Sequence, residues 1–196
     1  MNVLLVNNDT TAENWRELLS ACTALGFNLT TAHHSELLSV DTSGFDLAVL
    51  SGGWWYDDES ELLREYAAEL QFINTTNIPI FGICIGMQLL HVALDQAVPL
   101  LDKEQGGFKD ITVTNEGQRL FGLAPTTTVF KNHTRGVVEA DPNFDVLAYS
   151  PGHVEIIRHQ TRPIIGVQFH PESEASLEES RELLQKLISP LVPLPV

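Results

Sequence analysis

Apolar residues along this chain follow two rhythms that take turns. Short runs that read as strands come first, from Val3 to Asn7, Asn28 to Ala32 and Phe45 to Leu50, the first and third of them strongly apolar. Runs this short predict strands buried on both faces, as the strands of a parallel sheet are. Between them, apolar residues recur three and four apart. Trp15, Leu18, Leu19, Cys22 and Leu25 make one helical stripe, and Thr10 with Glu13 gives a capping-box signal opening a helix that runs to Leu25. Leu62, Leu63, Tyr66, Leu70 and Ile73 make another, on a helix predicted from about Ser60 to Ile73. A further strand begins at Ile78, and a helix follows from Ile85 to about Leu94.

From Gly107 to Ile157 the rhythm changes. Short Thr- and Val-rich segments are broken by turn signals at Asn115-Glu116-Gly117, Asp141-Pro142-Asn143 and Ser150-Pro151-Gly152, which predicts antiparallel additions. Pro163 to Phe169 is again an apolar strand, and Ser176 with Glu179 opens a last helix ending near Ile188. The tail from Ser189 to Val196 holds three prolines and reads as extended or frayed. This order argues an α/β fold: a flavodoxin-like three-layer core around a mostly parallel sheet, with a small antiparallel addition and its site at the carboxyl ends of the parallel strands. No internal repeat is present.

Composition narrows the picture. With 196 residues, 43% of them hydrophobic, the chain can bury a full core and reads as one domain over 1–196. Two cysteines are no disulfide framework, and Cys22, on a helical stripe, reads as packing. The start, Met1 to Val6, carries no basic segment or small-residue cleavage site, and no apolar run nears the length of a membrane span; a cytoplasmic, reducing setting is expected. The net charge of −15, from 26 acidic and 11 basic residues, repels phosphate backbones, so nucleic acid is not an expected partner. The acidic excess also fits a saline habitat or a basic partner, although its ordinary meaning is solubility. Seven histidines include no His-x-x-x-His pair, and His33 and His34, on a strand, would point opposite ways. Neither a metal nor another cofactor is expected.

The chemistry concentrates at Cys84. In Ile-Pro-Ile-Phe-Gly-Ile-Cys-Ile-Gly-Met-Gln, residues 78–88, an apolar strand puts Gly82 and Gly86 two residues either side of that cysteine. This is the pattern of a nucleophile elbow, a tight strand-to-helix turn whose small neighbours let backbones pass. The sulfur would lie over the first turn of the following helix, where free N–H groups and the helix dipole favour a thiolate. Read alone, the pattern fits a buried structural cysteine equally well. Further on, the strand 163–169 runs into His170, Pro171 and Glu172. Two apart on an extended segment, His170 and Glu172 would face one site, supplying a base and the acceptor that orients it.

Gly-Ile-Cys-Ile-Gly-Met-Gln at 82–88, together with Gln-Phe-His-Pro-Glu at 168–172, resembles the class I (triad) glutamine amidotransferases. Leu50-Ser51-Gly52-Gly53, after the strand 45–50, is similar to the oxyanion loop of that family. The resemblance implies that Cys84 attacks the glutamine side-chain amide, that His170 shuttles protons and that Glu172 orients it. It implies oxyanion donors at the backbone N–H groups of Gly53 and Ile85, and substrate contacts at Gly52 and Gln88. Asn132 and His133, in Lys131 to Arg135, match a more variable family segment near the substrate's α-carboxylate. Where many relatives carry proline after the two glycines, this chain has Trp54-Trp55-Tyr56. Those aromatics suit a lid, a pocket wall, a partner surface or plain core. Residues 154–172 most resemble the glutaminase of GMP synthase, which implies ammonia delivery to a separate synthase subunit. Sister subunits of other synthases, a stand-alone γ-glutamyl hydrolase and a catalytically silent regulatory relative stay open.

Overall fold

The computed structural model describes residues 1–192. Among these, nine strands form one sheet in the order β2-β1-β3-β4-β9-β8-β7-β5-β6. The half from β2 to β9 is parallel: β1 (Asn2–Asn8), β2 (Asn28–His33), β3 (Leu47–Gly53), β4 (Ile80–Ile83) and β9 (Ile164–Val167). The other half is antiparallel: β5 (Leu100–Val113), β6 (Thr126–Arg135), β7 (Phe144–Ser150) and β8 (His153–His159). The expected antiparallel addition therefore makes up nearly half of the sheet.

Strand alternation sorts the core into two layers, and helices cover both. Val3, Leu5, Leu47, Val49, Phe81 and Ile83 share one buried cluster with Leu18 and Cys22 of α1 (Ala12–Ala24) and Leu184 and Leu187 of α6 (Leu177–Ile188). Leu4, Val6, Ala48, Leu50 and Ile80 share the other with Leu62 of α2 (Glu59–Glu65), Phe72 of α3 (Ala67–Thr75) and Met87 and Leu90 of α4 (Ile85–Val92). Each buried Val, Leu, Ile, Phe or Met side chain among these contributes roughly 1.5–3 kcal/mol.

Several local expectations are corrected. The α1 cap is Thr11, whose side chain accepts from the Asn14 N–H at 3.2 Å, rather than Thr10. The helix expected over 60–73 is two helices, because Tyr66, at φ −92° and ψ 11°, leaves the helical path. The residue is fully buried, and its hydroxyl donates to the Trp54 carbonyl at 2.6 Å, so tertiary packing sets the break. Asn115-Glu116-Gly117 is not a turn but the first turn of α5 (Asn115–Phe121), since Thr114 caps the Gly117 N–H at 3.1 Å. The β5 strand is 14 residues long and mostly solvent-facing, which a search for short buried runs passes over. Leu191 and Val192 pack against the core in a turn instead of extending, and 193–196, the rest of the expected tail, lie outside the described residues.

Candidate active site

The carboxyl ends of β1, β3, β4 and β9 converge on one cleft of about 410 Å³, lined among others by Gly53, Trp54, Cys84, Ile85, Gln88 and His170. Cys84 joins β4 to α4 at φ 51°, ψ −105°. A side chain at positive φ costs about 1–3 kcal/mol and persists only where its surroundings hold it. Here they do. The Cys84 N–H donates to the Val167 carbonyl at 2.8 Å, which ties the elbow to β9. A Cβ on Gly82 would come within 2.8 Å of the Gly86 backbone, and one on Gly86 within 2.6 Å of the Leu50 carbonyl oxygen. Both positions are therefore closed to any side chain unless backbone moves.

Strand β9 stops at Val167, two residues before the expected Phe169, so His170 and Glu172 lie in the turn that follows it. They meet all the same. His170 Nδ1 pairs with Glu172 Oε1 at 2.8 Å, and both residues are buried. With a carboxylate on Nδ1 the proton of the neutral ring sits there, which leaves Nε2 as the basic lone pair. That Nε2 is buried and has no hydrogen-bond partner. Burial disfavours an imidazolium, yet the neighbouring Glu172 and Cys84 outweigh it and hold the His170 pKa well above the ordinary histidine value. Gly52 lies beside both Cys84 and His170: a Cβ there would be 2.8 Å from His170 Cε1 and 3.6 Å from Cys84 Cβ.

Gln88 is 3% exposed, so its side chain does not face water. Its amide donates to the Arg135 carbonyl at 2.9 Å and to Gln168 Oε1 at 3.1 Å. Asn132 and His133 line the cleft. His133 is buried, its Nδ1 is 2.9 Å from the Arg135 carbonyl, and burial lowers its pKa to about 4, so the ring is neutral with its proton on Nδ1. The three aromatics separate. Trp54 is 67% exposed at the mouth, Trp55 lies under the Arg135 guanidinium at 5.2 Å, and Tyr56 meets the Tyr66 ring edge-on at 6.0 Å. Trp54 and Trp55 both line the cleft.

Side chains with no expected role reach the same place. Gln168, fully buried, directs Nε2 at Cys84 Sγ across 3.6 Å. Asn8 and Glu69 brace the end of β3, with the Asn8 amide donating to the Ser51 carbonyl and to Glu69 Oε1, each at 3.1 Å. Strand periodicity also misplaces His33 and His34. His34 starts a 3-10 helix, His34–Ser39, so both rings turn to Asp9, at 3.0 and 3.2 Å. His33 Nδ1 already accepts the Ser35 N–H, which places the ring proton on Nε2 facing Asp9. In a second cluster, His133, His153 and Glu155 come together, and Glu155 Oε1 takes the Lys131 ammonium, the Ser150 hydroxyl and His153. Cys22 is fully buried in the core, and its thiol is pushed up to about 12 by burial. Among the described residues no helix is long and apolar enough to cross a membrane.

The family profile for glutamine amidotransferase class-I matches residues 5–189. A protein of Methanothermobacter thermautotrophicus, named as a GMP synthase (glutamine-hydrolyzing) subunit, is 31% identical over 147 residues, 74% of this chain and 74% of that protein. Its Thermoplasma acidophilum namesake is 30% identical over 155 residues, 79% and 76% of the two chains. The GMP synthase of Mesoplasma florum is 33% identical over 141 residues, 71% of this chain but 26% of its own length, so the match spans about a quarter of that protein. A crystal structure of a Thermoplasma acidophilum protein, described as a GMP synthase subunit, superposes with a TM-score of 0.84 at 26% identity, covering 97% of this chain and 94% of that one. A glutamine amidotransferase from Thermotoga maritima shares the fold at a TM-score of 0.81 and 18% identity, covering 98% of both. A profile match over nearly the whole chain, on a fold whose carboxyl edge carries this elbow and this His-Glu pair, makes the protein a member of the class I glutamine amidotransferase family, like the glutaminase of GMP synthase.

Proposed function

We propose that the protein hydrolyses the side-chain amide of glutamine through a γ-glutamyl thioester on Cys84 and passes the ammonia to a separate synthase subunit, that of GMP synthase. The observation that carries the reading is the His170–Glu172 pair at 2.8 Å, in the same cleft as a cysteine held at positive φ. His170 Nε2 takes the Cys84 proton, and the sulfur attacks the amide carbon. Charge developing on the amide oxygen is met by two backbone donors. Ile85 opens α4, where the first N–H groups have no intrahelical acceptor. The Trp54 N–H is turned back to the Asn8 carbonyl at 3.2 Å. Successive amides of a strand point to opposite sides, so the Gly53 N–H is directed toward β4 and the elbow. The imidazolium, held by Glu172, then protonates the leaving nitrogen, and ammonia departs. Water activated by the same ring cleaves the thioester to glutamate and restores the thiol.

Gln88, Asn132 and His133 hold the amino-acid end of glutamine, with Gly52 beneath it. The 196 residues work as one glutaminase unit, and no metal or cofactor enters the reaction. The separate partner is supported by relatives named as GMP synthase subunits, which match over about three quarters of their own length. A catalytic thiol suits a reducing compartment, and we place the reaction in the cytoplasm. Glutamate release by Cys84→Ser should be abolished with glutamine binding retained, because serine keeps the shape and carries far less anion at neutral pH. A glutamine analogue with an electrophilic carbon should label Cys84 and spare the buried Cys22. Labelling of Cys22 alone would remove the assignment. Turnover unaffected by the partner synthase would point instead to an independent γ-glutamyl hydrolase.

A further inference from the structure

We propose that Gln168 is a positioning residue for the nucleophile: its side-chain N–H holds the Cys84 sulfur and ties it to Gln88. The inference rests on Cys84 being the nucleophile. Its orientation follows from an unambiguous acceptor. The Arg135 backbone carbonyl can only accept, so the Gln88 group 2.9 Å from it is the amide nitrogen. That same nitrogen lies 3.1 Å from the nearer side-chain atom of Gln168, which must therefore be the carbonyl oxygen. The remaining end of Gln168 is its NH2, and it faces Cys84 Sγ at 3.6 Å, a span suited to the larger sulfur.

Gln168 cannot easily turn away. It is fully buried, and its backbone N–H is bonded to the Glu155 carbonyl at 2.9 Å. Gln168, His170 and Glu172 are spaced two apart on one segment, so a single stretch of chain carries the donor to the sulfur, the base to the same cleft and the carboxylate to the base. A buried thiolate has lost water, and an N–H donor replaces part of that solvation. Once the thioester forms, sulfur carries no charge and the donor has little left to hold. Its effect therefore falls on the resting nucleophile and on its direction, more than on glutamine affinity.

The test is the rate of Cys84 alkylation by iodoacetamide across pH, with the modified residue located by mass spectrometry. Gln168→Glu keeps the oxygen that Gln88 needs and replaces the donor with an acceptor. Its alkylation profile should move to higher pH, lowering the rate at neutral pH by about tenfold or more, as expected for loss of a hydrogen bond to a charged group. Glutamate release should lose kcat with KM largely kept. Gln88→Met, which frees the anchored end of Gln168, should move the profile the same way by less. If folded Gln168→Glu and Gln88→Met both alkylate along the native profile, the proposal is overturned, and lost turnover would not rescue it. Alkylation needs no glutamine hydrolysis, so a shifted profile in a protein that releases no glutamate would uphold the Gln168 contact and count against the glutaminase reading alone.

Discussion

Glu69 offers a test of how the site is braced from behind. The residue lies on α3 with its side chain fully buried, Oε1 accepting from the Asn8 amide at 3.1 Å while Oε2 and Asn8 Oδ1 have no partner. Burial pushes its carboxyl up to about 8 from an ordinary 4.5. The folded state therefore keeps a proton that the unfolded chain has lost at any pH between those values. Stability must fall as pH rises through that window; below 4.5 both states are neutral, and above about 8 both are ionised with the full penalty in place. At 1.36 kcal/mol per pH unit this amounts to no more than roughly 5 kcal/mol. Glu69→Gln removes the charge and keeps an oxygen to face the Asn8 amide. Allowing for the reorganisation of a new buried amide, about 2 kcal/mol should remain as a gain at pH 8.5, or roughly 4–8 °C in Tm for a chain of this size. Urea unfolding of both proteins at pH 5, 6.5 and 8.5 measures it. A gain independent of pH, or a loss at pH 8.5, would refute the argument that Glu69 is held neutral.

Two further outcomes bear on the catalytic reading. His170→Ala should slow glutamate release more than Glu172→Gln, because the first removes the proton carrier and the second only weakens its orientation; a fully active His170→Ala enzyme would end the triad assignment. With the partner synthase and its acceptor substrate present, glutamine turnover should rise, and Trp54→Ala should blunt that rise more than it lowers the basal rate, as read by glutamate release with and without the partner. Trp54 is the better probe than Trp55 because it is 67% exposed at the mouth whereas Trp55 is covered by Arg135.

The parallel half of the fold is legible mainly where its strands are buried on both faces and carry apolar runs, as β1 and β3 do; β2, a largely exposed edge strand, also begins and ends close to where the sequence puts it. The α6 boundary is legible too, since Ser176 receives the Glu179 N–H at 3.3 Å as its spacing implies. What pattern misses is set by distant contacts. Nothing local to Tyr66 says that the helix must break there; the reason is a carbonyl on Trp54, 12 residues away in sequence. The solvent-facing β5 has no apolar rhythm to read, and its pairing with β6 defines it instead.

The site divides in the same way. Cys84, His170 and Glu172 stand out as candidates because each has a local signature: glycines that let backbones approach around the first, and a short spacing between the other two, which meet in the turn after β9. Gln168 stands inside the Gln-Phe-His-Pro-Glu motif and yet carries no evident part there, because its contact is with a sulfur 84 residues away and depends on the orientation of Gln88. Asn8 and Glu69 carry no motif at all. Their meaning appears only when β1, β3 and α3 are side by side, with the Asn8 carbonyl so close to Gly53 that a Cβ there would lie 1.7 Å from it. Local sequence can specify the reacting groups, since chemistry dictates their type and spacing. The groups packed against them are chosen by whichever strands the fold makes neighbours, so contacts such as those of Gln168, Asn8 and Glu69 cannot be read from local pattern.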